Sequence, residues 1–243
     1  MVKVFYETFA NQKKQPALVL KTNGATFSIL DREDCLAKLN TVKNMFPSDW
    51  NLPNVYLLHG DLTDDEMNKL YNHPKTKCMV SLTHGEGYGR PLQEATMVGL
   101  PVIAPNWSGQ LDFLDSDNCI LLGGELKQVP QSVVWKDIIV NQSQWFNVDE
   151  SQFSKALQYS LNEYDEFKNK AIELMEKNRN NLTLKNMSKK LNELVDKYTS
   201  SIPTQVGVQL PKLKKVSDSK SEQTKIKLPK LKKVEETNHE YSQ

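Results

Sequence analysis

From Ala17 to Leu122 short apolar runs alternate with amphipathic stretches, and this alternation constrains the fold more than any other feature of the chain. Ala17-Leu18-Val19-Leu20, Asn54-Val55-Tyr56-Leu57-Leu58, Lys77-Cys78-Met79-Val80-Ser81-Leu82, Leu100-Pro101-Val102-Ile103-Ala104 and the run from Cys119 to Leu122 read as strands. Between them, residues 31–46 carry apolar side chains near helical spacing and stop before Pro47, and another helix starts near Pro91. Thr63-Asp64-Asp65-Glu66 is a capping box. Its threonine hydroxyl can accept from the third helical amide while the glutamate reaches back, which opens a helix to about Tyr71. Strands apolar on both faces, each followed by a helix, predict a parallel sheet covered by helices, because parallel crossovers lie on the sheet faces. The expected class is α/β with a doubly wound parallel sheet, and such sheets bind ligands at the carboxyl ends of their strands.

The stretch 123–147 reads as irregular, with Trp135 and Trp145 covering a sheet edge or helix face, and residues 151–198 read as at least two helices. From about Ser200 the chain turns polar, so a disordered Lys-rich tail over 200–243 is expected behind a domain over 1–199. In that tail Leu210-Pro211-Lys212-Leu213-Lys214-Lys215-Val216 recurs as Leu228-Pro229-Lys230-Leu231-Lys232-Lys233-Val234. The repeat reads either as a short protein-recruitment motif used twice or as a solvated basic tail. A net charge of +1 gives no global pointer to nucleic acid or membrane, and no apolar run is long enough to span a bilayer. Three cysteines without CxxC spacing predict reduced thiols rather than a metal site. A cytoplasmic location follows, a host's cytoplasm were the chain phage-encoded.

The chemically loaded stretch runs from Ser81 to Ala95, out of a strand and into a helix. Gly85, Gly87 and Gly89 are expected to supply positive φ and close approach to a ligand, and Pro91 suits a first helical turn. Unpaired amides at such a helix start, together with the helix dipole, make a diphosphate a natural guest. Glu86 and Glu94 cannot favour phosphate, so they are better used to accept hydrogen bonds from sugar hydroxyls on either side of it. A nucleoside-diphosphate sugar fits that pattern, with no metal and no other cofactor. Arg90 can serve phosphate or pair with a carboxylate. His84 and His59 are ligand contacts or ordinary loop histidines, Lys21 is a phosphate contact or a surface lysine, and Trp107 and Asp112 read as scaffold.

Glu86 and Glu94 are spaced like the EX7E motif of retaining GT-B glycosyltransferases, and Glu86-Gly87-Tyr88-Gly89-Arg90-Pro91 resembles the EGFGxP core of that motif. Gly99-Leu100-Pro101-Val102-Ile103-Ala104 with Ser108-Gly109 and Asp112 resembles the segment that follows, and Asn54 to Gly60 resembles the strand and turn beside the nucleotide base. The likeness covers 1–198 and implies a Rossmann-like fold, the C-terminal, donor-binding half of a GT-B enzyme. It implies that Glu86 is the catalytic residue at the donor sugar and that Glu94 binds ribose. Gly85, Gly87, Tyr88 and Gly89 would then hold sugar or phosphate oxygens, Gly60, Asp61 and Leu62 would border the base, and Arg90, Lys21 and His84 would be further donor contacts.

The chain opens on Val2 to Phe9, which resembles the helix after that domain's first strand. The resemblance therefore implies that the first strand, the acceptor domain and the family's Arg/Lys pair must come from elsewhere, in trans or from upstream sequence. The expectation is a sheet short of an edge strand, and a last helix, 182–198, placed to brace an N-terminal half. The leading reading is a hexosyltransferase-like donor half that retains configuration and needs that second half, acting on an unknown acceptor. The alternative is a non-catalytic binding or scaffold module working through its tail repeats. A nucleotide-sugar epimerase or a phosphorylase is a third reading.

Overall fold

The structure, a computed structural model, describes residues 1–24 and 27–199. The expected tail and its two repeats lie outside the described residues. Residues Met1–Val195 form one compact unit, and of a second unit that begins at Asp196 only the last turn of a helix is described.

The elements follow the apolar runs closely. α1 (Val2–Phe9) buries Val4, Phe5, Tyr6 and Phe9. β1 (Leu18–Lys21) leads to α2 (Ile29–Lys43), whose cap is the Ser28 hydroxyl accepting from the Asp31 amide. β2 (Val55–Leu58) leads to α3 (Asp64–Tyr71), where the capping box forms as its sequence requires. The Glu66 amide donates to the Thr63 hydroxyl at 3.3 Å and the Thr63 amide to the Glu66 carboxylate at 2.9 Å. β3 (Met79–Val80), α4 (Arg90–Met97), β4 (Val102–Pro105) and β5 (Ile120–Leu122) complete the alternation.

The stretch expected to be irregular contains an antiparallel hairpin instead. β6 (Gly124–Gln128) pairs with β7 (Gln144–Val148), in register from Gly124 opposite Val148 to Gln128 opposite Gln144. Every position of β6 is exposed, so it carries no apolar alternation for a sequence reading to catch. Trp135 is exposed and bridges Ile139 across a turn rather than covering a sheet edge. The helical region resolves into α5 (Glu150–Asn162), α6 (Tyr164–Asn181) and α7 (Leu184–Thr199).

The parallel strands form two ladders, β1–β2 and β3–β4–β5. One core cluster joins Val4, Phe5 and Phe9 of α1 and Phe153 and Leu157 of α5 to Leu18, Val55, Val80, Ile103 and Leu122. Both ladders therefore lie in one layer beneath α1 and α5. On the opposite face Tyr71, Leu92 and Ala95 pack with Val102, Ala104, Phe113 and Leu174. Alternate residues of β4 thus serve opposite cores, as the two-residue strand period demands. β4 is buried at all four positions and fits the expectation of a strand covered on both faces. β1 and β2 depart from it: Val19 is 49% and Tyr56 55% exposed, so no helix among the described residues covers that face of their ladder.

The helices fix the strand order. α2 lies on the α1 side, where Phe46 just beyond its end meets Tyr6 edge-on at 5.5 Å between ring centroids. α3 and α4 lie on the other side. Parallel crossovers are right-handed in nearly all proteins, so helices on opposite faces carry the chain in opposite directions across a sheet. With α2 on one face and α3 on the other, β3 lies beyond β1 from β2. The order is β2-β1, an opening, then β3-β4-β5. The opening expected at a sheet edge is therefore in the middle.

Candidate functional site

The loop between β3 and α4 leaves the sheet beside this opening, where the direction of winding reverses. Such switch points are where doubly wound sheets bind ligands. Gly89, the residue before α4, has φ +85°, and a Cβ there would lie 3.3 Å from Cβ of Gln110. It needs glycine for both reasons. Gly85 and Gly87, also expected to turn the chain, do not have positive φ. A Cβ on Gly87 would meet nothing within 4 Å, so these two glycines keep the loop surface low rather than bend it.

What bends and holds the loop is a segment after β4. The Ser108 hydroxyl accepts from the Glu86 amide at 3.1 Å and donates to the Glu86 carbonyl at 2.5 Å, and the Gly109 amide donates to the same carbonyl at 3.1 Å. Ser108 has φ +77°, a strained position for a residue with a side chain. A Cβ on Gly109 would run into the Gly87 carbonyl. The sequence marks Ser108-Gly109 only by resemblance, and its clamp on Glu86 joins residues 22 apart along the chain.

The amides of Gly87, Tyr88, Gly89 and Arg90 donate to no acceptor among the described residues. Pro91 has no N–H, and the first turn of α4 has no acidic residue to compete with an anion. Arg90 resolves in favour of a carboxylate: its Nε donates to Glu94 Oε1 at 2.9 Å, and this exposed i,i+4 pair is worth under about 1 kcal/mol. The Tyr71 hydroxyl donates to Glu94 Oε2 at 3.5 Å. Burial, and then the Glu94 carboxylate, push the Tyr71 phenol up to about 12, so it remains a donor at neutral pH. Glu94 is thus held from two sides, half-buried one turn above the free amides. Tyr88 leans on Phe113 at 5.1 Å, and burial raises its phenol too. Gln110 is fully buried beneath the loop. Its Nε2 donates to the Pro105 carbonyl at 3.0 Å and its Oε1 has no partner among the described residues.

His84 is anchored to the unforeseen hairpin. Its Nδ1 lies 2.9 Å from the Phe146 carbonyl and its ring stacks on Trp145 at 4.6 Å, while Trp107 stacks on Phe146 at 5.6 Å. The hairpin thus walls one side of the loop.

The remaining candidates gather at the ends of β1 and β2. Lys21 Nζ donates to the Gly60 carbonyl at 2.6 Å, which ties it to the backbone of the turn. Gly60 has φ +114°, and the Asp61 carboxylate accepts from the Leu62 amide at 3.0 Å. His59 pairs with Asp31 at 2.7 Å, and Asp31 also accepts from the Gly24 amide at 2.8 Å. Asp31, Cys35 and His59 offer ligand atoms within 4.8 Å of one another, a grouping that the sequence reading did not foresee. The backbone and His59 already engage that carboxylate. No hydrogen bond or ion pair joins this group to the glycine loop among the described residues. A separate cleft of about 490 Å³ lies between β5, α5 and α6, away from both groups.

No family model matches the sequence, and no curated protein matches it. Among solved structures the chain is similar to Anabaena HepE, crystallised in complex with UDP and glucose. The identity is 12% and the TM-score 0.51, over 81% of this chain and 44% of that one. A second match, the GtfA/B complex, has 15% identity and a TM-score of 0.45, over 78% and 37% of the two chains. The chain therefore spans less than half the length of these proteins. The likeness shows an α/β fold similar to GT-B glycosyltransferase structures. No helix among the described residues is long and apolar enough to cross a membrane.

Proposed function

We propose that this chain is the donor-binding, C-terminal half of a GT-B glycosyltransferase that takes a sugar from a nucleoside-diphosphate sugar and transfers it with retention. The observation that carries the reading is the α4 start: four amides without acceptors, flanked by Glu86 and Glu94. The amides of Gly87 to Arg90 suit the diphosphate, where hydrogen bonds and the helix dipole act together. Glu94, pinned by Arg90 and Tyr71, suits ribose hydroxyls, and Glu86, held through its backbone by Ser108, suits the donor sugar. Gly60, Asp61 and Leu62 would border the base. UDP and glucose bound to HepE support this donor class.

Charge develops on the departing diphosphate during transfer, and preorganised donors aimed at it are commonly the largest catalytic contribution. The loop amides would supply part of that stabilisation. Lys21 and Arg90, the cations expected there, are tied to Gly60 and Glu94. Further cations and the acceptor site would come from a second half. α7 supports that need: it buries none of its residues and exposes Leu184, Met187, Leu191, Leu194 and Val195 along a seam of three- and four-residue steps. Calorimetric titration with UDP-glucose and GDP-mannose tests the donor reading. Binding at micromolar concentration that Glu94→Ala removes is expected, and wild-type affinity in that variant would sink it.

A further inference from the structure

Two positions on α2 and one at the end of β2 bring three different metal-ligating atoms together, away from the glycine loop. The Ser28 hydroxyl caps α2 by accepting from the Asp31 amide, which sets Asp31 in the first turn. The helix dipole there favours a carboxylate, and that carboxylate accepts from the Gly24 amide at 2.8 Å. Cys35 follows four residues on, and residues four apart share one face of a helix. His59, the residue after β2, reaches the same face, with its Nε2 2.7 Å from Asp31 Oδ2. The carboxylate oxygen, the sulfur and the imidazole nitrogen all lie within 4.8 Å of one another, and the described residues contain no other such group of three. Cysteine spacing does not reveal the group, because its ligands come from two separate elements and two of them are not cysteine.

An aspartate–histidine pair that only tied α2 to β2 would have no use for a thiol. The Cys35 sulfur makes no hydrogen bond among the described residues, and neither does His59 Nδ1. Nδ1 can therefore carry the ring proton while Nε2 ligates. Tetrahedral zinc holds sulfur at about 2.3 Å and nitrogen or oxygen at about 2.0–2.2 Å, so its ligand atoms stand about 3.4–3.6 Å apart. To reach that spacing the Asp31–His59 contact widens by about 0.7 Å and the sulfur draws in by at most about 1.3 Å, both by side-chain rotation. A dication with one carboxylate, one thiolate and one neutral imidazole carries no net charge. That balance suits a pocket where the Asp31 side chain is 11% and the His59 side chain 5% exposed. One oxygen, one nitrogen and one sulfur donor fit zinc or cobalt, whereas magnesium and calcium take oxygen ligands.

We propose that Asp31, Cys35 and His59 form a site for one divalent ion of the zinc class, with a fourth position for water. Binding releases the Cys35 thiol proton to solvent and moves the His59 ring proton from Nε2 to Nδ1. The ion joins the first turn of α2 to the end of β2 and steadies the turn at Gly60, where φ is +114°. The site rests on these three side chains and is independent of the donor reading.

The test is titration of the full chain, stripped of metal by a chelator, with cobalt(II) and then with zinc. Stoichiometric cobalt should give the near-ultraviolet charge-transfer band of a thiolate-bound ion and the visible bands of four-coordinate cobalt, and zinc should remove both. Cys35→Ala should lose the charge-transfer band. His59→Gln should weaken binding at least about a hundredfold, since even the outer partners of a metal ligand are worth about 10- to 100-fold. Zinc at about a hundred times its Kd should raise the melting temperature of the wild type by about 5–10 °C. The same zinc concentration should leave Cys35→Ala nearly unmoved. Cys35 is half-buried and its thiol bonds to nothing among the described residues, so Cys35→Ala should keep the metal-free melting temperature. A cobalt spectrum without the charge-transfer band, the same band in Cys35→Ala, or a wild-type melting temperature indifferent to zinc would overturn the proposal. UDP-glucose titration of the metal-free chain reads the donor site separately, so failure of one is distinguishable from failure of the other.

Discussion

Replacing Gly109 by alanine puts a Cβ against the backbone of the glycine loop between β3 and α4. The new atom would run into the Gly87 carbonyl oxygen, with the Gly87 carbonyl carbon at 2.7 Å and the Glu86 oxygen at 3.1 Å. Ordinary contact begins near 3.4 Å, so the Gly87 carbonyl must retreat by about 1 Å or more, or the Ser108-Gly109 segment must move instead. Either shift strains the two hydrogen bonds that Ser108 and Gly109 donate to the Glu86 carbonyl. Overpacking of this kind costs about 1–3 kcal/mol. A displacement approaching 1 Å in a positioning element can cost about a hundredfold in function. The expected result for Gly109→Ala is a lower melting temperature and UDP-glucose affinity weakened at least about tenfold, equivalent to about 1.4 kcal/mol. Gly87→Ala is the control. Nothing lies within 4 Å of its new Cβ and its φ is not positive, so stability should hold while the methyl group obstructs the ligand. Differential scanning fluorimetry and calorimetry on the two variants separate these effects. Wild-type melting and affinity in Gly109→Ala would refute the idea that this packing shapes the loop.

Thr63→Ala removes both the hydroxyl acceptor and half of the capping box, and should cost about 1 kcal/mol in urea unfolding with donor binding unchanged. Asn178→Ala strips a donor from two buried acceptors, Thr96 Oγ1 at 3.0 Å and the Phe113 carbonyl at 3.1 Å, where α6 meets α4. Leaving those acceptors unpaired should cost about 1–3 kcal/mol by the same measurement. The Tyr71 phenol is raised in the folded state, so folding holds its proton more tightly than the unfolded chain does. Its contribution is fully present below pH 10 and is lost as pH rises from 10 towards about 12. Urea unfolding across that range should show a shallower alkaline decline for Tyr71→Phe than for the wild type.

Where the sequence reading succeeded, the signal was local. The capping box at Thr63, the run Val102-Ile103-Ala104 and the proline in the first turn of α4 act within a few residues, and each produced the expected element. The same holds for the placement of Glu86 and Glu94 about the start of α4. Where the reading missed, the cause lay far away along the chain. β6 and β7 pair across the fifteen residues between Gln128 and Gln144, with an exposed strand on one side, so no periodicity announces them. Glycine was read as a bend at three positions, yet only Gly89 has positive φ, and the strained residue that bends the neighbouring segment is Ser108. The partner of Arg90 is four residues on, at helical contact distance, so the helix itself supplies the carboxylate that competes with phosphate for it. The central opening depends on which face each crossover helix occupies, which the amino-acid order does not display.

The most direct test of the donor reading is an amide-resolved NMR titration of the chain with UDP-glucose. The account expects the largest shifts at Gly87, Tyr88, Gly89 and Arg90, with a second group at Gly60, Asp61 and Leu62. The amides around the cleft between β5, α5 and α6 should stay still. Shifts confined to that cleft, or none at millimolar ligand, would contradict the assignment of the α4 start as a nucleotide-sugar site.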